Sequence, residues 1–73
     1  MGVTIVPAPK VGNLGAALVE AYAYLHSPAA IDHEIAYLLQ LQAQGDRSQS
    51  TSVQLADWRA IRDRQRELLR EAA

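Results

Sequence analysis

The chain has no cysteine and no phenylalanine, a single lysine (Lys10), and one tryptophan beside three tyrosines. Without cysteine there is neither a disulfide to staple a small fold nor a thiolate to hold zinc. That absence suits a reducing compartment, so a cytoplasmic location is expected. With so little lysine and a net charge of −1, no overall positive field steers the chain toward nucleic acid or anionic lipid. Long hydrophobic runs are missing too. No uncharged stretch approaches the ~20 residues of a membrane span, so no membrane role is expected. The start MGVTIVPAPK has no basic n-region and no continuous apolar h-region, which argues against a secretory leader. Val6 stands where the myristoylation pattern wants Ser or Thr. Gly12-x-x-Gly15 lacks the lysine and the preceding buried strand of a phosphate loop.

What is present is apolar and helical. Of 73 residues, 49% are hydrophobic and 21% charged, a folding composition for one small domain. A core of this size rarely supplies more than ~3–5 kcal/mol by itself. Val3-Thr4-Ile5-Val6 followed by Pro7-Ala8-Pro9 reads as an extended arm over 1–10, because two prolines fix φ and remove donors. Residues 11–73 then form a single helical domain. The fold expected is all-α: an antiparallel helical hairpin plus a third, longer amphipathic helix, a small three-helix bundle.

The first helix is predicted over Val11–His26, with Asn13 as N-cap. Its main stripe is Val11, Leu14, Ala17, Leu18, Ala21, Tyr22 and Leu25, but Ala16, Val19 and Ala23 make the opposite side apolar as well. A helix hydrophobic nearly all round needs more than one cover. Ser27-Pro28 ends it and opens the second helix, Pro28–Ala43, with Ile31, Ile35, Leu38 and Leu39 inward and Gly45 as its terminating glycine. A polar loop from Gln44 to Ser50 leads to a capping box, Thr51-x-x-Gln54, and a third helix over Ser52–Glu71. Its stripe is Leu55, Trp58, Ile61, Leu68, Leu69 and Ala72, interrupted by Gln65.

On this third helix Arg59, Arg62, Arg66 and Arg70 fall within about a quarter turn. They can lie as a solvated surface, hold a partner's carboxylates bidentately, or meet phosphates. Nucleic acid is the weakest of the three, since a pI near 6 is far from the basic domains that neutralise phosphate. His26, Asp32, His33 and Glu34 are the nearest thing to an acid–base or metal cluster, yet His33 and Glu34 diverge by about 100° on a helix. Neither metal nor cofactor is expected, and a catalytic function is not.

Tyr24 and Tyr37 lie off their helices' stripes, and Trp58 is the sole indole; such aromatics favour interfaces. Leaving Val19, Tyr24, Tyr37 and Leu41 exposed would create apolar patches that soluble monomers avoid. The expected partner is therefore another protein or a second copy. The Ser27-Pro28 turn, and Gly45–Arg70 as a polar stretch before an arginine-rich helix, resemble short features of secretion-needle subunits with their chaperones and of small phage head–tail joining proteins. That resemblance implies a subunit of a larger assembly; no residue roles are carried over from it. The sequence thus points to a non-enzymatic interaction or assembly subunit, such as an adaptor or chaperone. Its interaction residues are Val19, Tyr24, Tyr37, Leu41, Trp58, Arg59, Arg62, Arg66 and Arg70. An inhibitor that occludes a partner's surface would use the same residues.

Overall fold

The computed structural model describes residues 12–72. The expected extended arm, 1–10, lies outside the described residues. Three helices follow: α1 (Ala16–Leu25), α2 (Pro28–Ala43) and α3 (Gln49–Ala72), with no strand among the described residues. The all-α three-helix bundle is what forms.

Its central member is α3, 24 residues long and about 36 Å from end to end. Both other helices pack on it, and α1 and α2 do not come within backbone packing distance of each other. The antiparallel partner of α2 is α3 rather than α1. Asp46, just after α2, bonds Thr51 near the start of α3, whereas Pro28 and Asp32 border a cavity with Arg66 and Leu69 near its end. By contrast, α1 runs along α3 in the same sense, from Leu14 beside Asp57 to His26 beside Gln65. The reason lies in the junction. His26 and Ser27 are both extended, so the chain leaves α1 without folding back on it.

The α2 boundaries follow from local chemistry. Ser27 Oγ accepts from Ala30 N–H at 3.1 Å, with Pro28 in the first turn, which satisfies one donor that the helix start leaves open. At the other end Gly45 takes φ +105. Its N–H donates to Gln42 O, and Asp46 N–H donates to Leu41 O, both at 3.0 Å. This is the paired closure of a Schellman motif.

Two helix starts differ from expectation. Helix α1 begins at Ala16 behind Gly15, which offers no side-chain cap, and Asn13 caps nothing through its side chain. Instead the Asp57 carboxylate of α3 accepts from Asn13 N–H (3.2 Å) and Leu14 N–H (3.1 Å). A Cβ on Gly12 would run into that carboxylate, so glycine is what lets the backbone approach. Helix α3 begins at Gln49, because Ser48 is the cap: its Oγ accepts from Thr51 N–H at 3.2 Å. Thr51 sits one turn in, buried, and donates to Asp46 Oδ2 at 2.7 Å. The loop shortens to 44–48.

The core is Ala23, Ile31, Ile35, Leu38, Leu55 and Ile61, with Leu14, Val19, Tyr22, Leu41, Trp58 and Leu68 packed against it. Ile31 and Ile61 are fully buried, each stabilising by about 1.5–3 kcal/mol relative to exposure. On α1 only Tyr22 of the expected stripe packs on the core, with Leu14 just ahead of the helix. Ala23 is buried and Val19 packs on the core, while Leu18 and Leu25 face outward. Periodicity could not choose between two apolar faces, and polar partners on α3 did.

Candidate functional site

Those partners sit along one side of α3. Glu20, the one acid of α1, takes a two-pronged ion pair from Arg64: Nε to Oε1 at 2.6 Å and Nη2 to Oε2 at 3.0 Å. Arg64 also reaches Glu67 at 3.1 Å through Nη1. The guanidinium beside Glu20 holds its carboxyl below the usual carboxylate range, and the two acids raise Arg64 in turn. The planar fork matches the carboxylate in both distance and direction, which a lysine could not do.

At the other end of α1, buried Gln65 uses its Nε2 twice, donating to Ala23 O at 3.0 Å and His26 O at 2.6 Å. These are carbonyls that the end of a helix leaves without partners. Beside them, Tyr22 stacks on Trp58 (centroids 6.2 Å), and His26 meets Trp58 edge-on at 5.2 Å. The His26 ring is further held by Nδ1 at 3.1 Å from Tyr22 O. Tyr22, His26 and Trp58 are thus an internal clasp between α1 and α3.

That clasp separates the anticipated interaction residues into groups. Val19, Leu41 and Trp58 lie part-buried against the core. Tyr24 and Tyr37 are exposed, at 69% and 53%, but stand on different helices. Arg59, Arg66 and Arg70 are exposed and Arg62 is half-buried. None of the four forms an ion pair among the described residues. Leu25 and Leu69, not anticipated as surface residues, are exposed at 75% and 56%.

Tyr24 and Leu69 line one groove of about 520 Å³ with Leu68, Ala72, His26 and Gln65. Leu69 and Gln65 also line a second cavity, of about 250 Å³, with Arg62, Arg66, Pro28 and Asp32. Leu69 is therefore a ridge between an apolar groove and a cationic one, at the end of the bundle where α1 hands over to α2. The sequence held one usable signal for the arrangement. A single acid on an otherwise apolar helix needs a partner, and Arg64 is the arginine lying off the stripe of the other four.

Among the described residues no three of His, Asp and Glu come together as a metal site, and no helix is long and apolar enough to cross a membrane. Compared with known proteins, the chain matches no family model, no curated protein and no solved structure.

Proposed function

We propose that this protein is a non-enzymatic helical interaction subunit, an adaptor, chaperone or assembly component that acts by associating with another protein or with itself in the cytoplasm. The observation that carries this reading is the exposure of Tyr24, Leu25 and Leu69 around one end of the bundle, where Tyr24 and Leu69 line one groove. Large side chains left to water together, beside a groove, are what interfaces are made from. Tyr37 and Leu39 on α2, exposed at 53% and 41%, offer a second contact region. An inhibitor occluding a partner's surface would use the same end of the molecule.

Sedimentation velocity at high micromolar concentration, alone and with host extract, tests the proposal. The native chain is expected to run in a species larger than the monomer in at least one of the two conditions. Tyr24→Glu is expected to return it to monomer while helical circular dichroism is kept. A monomer in both conditions, or a Tyr24→Glu chain that loses helicity together with association, would overturn it.

A further inference from the structure

We infer that the paired cavities on either side of Leu69 form a docking groove for an acidic amphipathic segment of another protein. This rests on the interaction reading above and specifies the chemistry of the partner. Arg62 and Arg66 border the smaller cavity beside the start of α2. Neither is ion-paired among the described residues, although Arg64 on the same helix engages Glu20, Glu67 and Glu71. Among the described residues Arg62 Nε is buried and has no acceptor, and none of the chain's own acids neutralises that guanidinium. Asp32 lines that cavity and still pairs with neither arginine.

Across Leu69 the chemistry changes to apolar, with Tyr24, Leu68 and Ala72 lining the larger groove. A partner that satisfies both sides needs an aliphatic stripe over Tyr24 and Leu69, with carboxylates three or four residues away to meet the two guanidinium groups. Nucleic acid would neutralise the arginines but would leave the apolar side over Tyr24, Leu68 and Leu69 without a matching surface. A second copy fits less well: of α3's acids, Glu67 and Glu71 are engaged with Arg64 and Asp57 holds the backbone before α1, which leaves that helix only Asp63 to offer.

The probe is a surface-displayed library of random helices, each roughly 16 residues long so that it can hold helical structure, selected on the full chain. Enriched helices should carry Asp or Glu three or four positions from aliphatic residues. Arg66→Glu, a change at an exposed position, should weaken their binding about tenfold or more. Exchanging the peptide's carboxylates for lysines should then restore binding to Arg66→Glu. Leu69→Asp should weaken binding with circular dichroism unchanged. Enrichment without acidic bias, or binding indifferent to Arg66→Glu, would overturn the acidic partner while leaving the sedimentation result to judge the interaction reading separately. Failure to enrich any helix would overturn it too, as would tighter binding to a random-sequence DNA duplex than to every enriched peptide.

Discussion

Gln65 illustrates how a single side chain can set the geometry of a small fold. Its amide reaches two carbonyls at the end of α1, one on Ala23 and one on His26, and it is buried while doing so. Gln65→Met keeps the approximate volume but strands those acceptors away from water. The expected cost is about 1–3 kcal/mol, read as a lowered urea midpoint with an unchanged slope. If Gln65→Met matched the native chain, the carbonyls would have other partners and the role assigned to the amide would be wrong. Gln65 was visible in the sequence only as a break in an apolar stripe. Its acceptors lie 42 and 39 positions away, beyond anything periodicity reports. Glycine at position 12 is a similar case: its need comes from Asp57, a residue far along the chain.

Among the elements, the ones bounded by local chemistry were the ones legible in advance. Helix α2 begins and ends where Ser27-Pro28 and Gly45 place it, because each cap acts within a few residues of itself. Gly45→Ala should therefore destabilise the fold by about 1–2 kcal/mol, since φ +105 forces Cβ against the backbone. Thermal unfolding followed by circular dichroism measures it, with Gly45→Asn expected to lose less. Equal stability of the alanine variant would show that the turn can re-form with negative φ at no cost. Helix α3 was harder to bound, because Ser48 and Thr51 are both competent caps by residue type. What selects Ser48 is Asp46, whose carboxylate accepts from Ser48 N–H at 2.8 Å and from Thr51 Oγ1. That leaves Thr51 one turn inside the helix. Helix α1 was least legible, with apolar residues on every side and no side-chain cap of its own.

For the whole molecule, the join between α1 and α3 is partly ionic, and this makes stability depend on pH. Glu20 is held below the usual carboxylate range chiefly by its hydrogen bonds to Arg64, and Asp46 chiefly by Thr51 and Ser48. A carboxyl depressed in the folded state contributes stability that is present above its unfolded value and lost as pH falls through its folded value. Stability should therefore hold near neutrality and decline on the acid side, below the ordinary carboxylate range. Glu20→Gln should be less stable than the native chain at pH 7, and the two should converge as the pH is lowered. Denaturant titrations at a series of pH values check this, and a gap that stayed constant with pH would mean that the ion pair contributes nothing to folding. The pairing is exposed enough that added salt should narrow the same gap.

By itself the sequence determined the helical class, the three-helix count, and the position of the α2 caps, because composition, proline and glycine act over a few residues. It also marked Tyr24, Tyr37 and the arginine stripe as residues that no core would need. Only the tertiary structure decided that α3 is the common partner and that α1 turns Val19 and Ala23 inward, leaving Leu18 and Leu25 out. It also set Leu69 as a ridge between a cationic and an apolar groove. Those outcomes depend on Glu20 meeting Arg64, on Gln65 meeting the end of α1, and on Asp57 meeting the backbone before it. When two faces of a helix are equally apolar, hydrophobic burial does not choose between them. The few directional polar contacts made across the fold do.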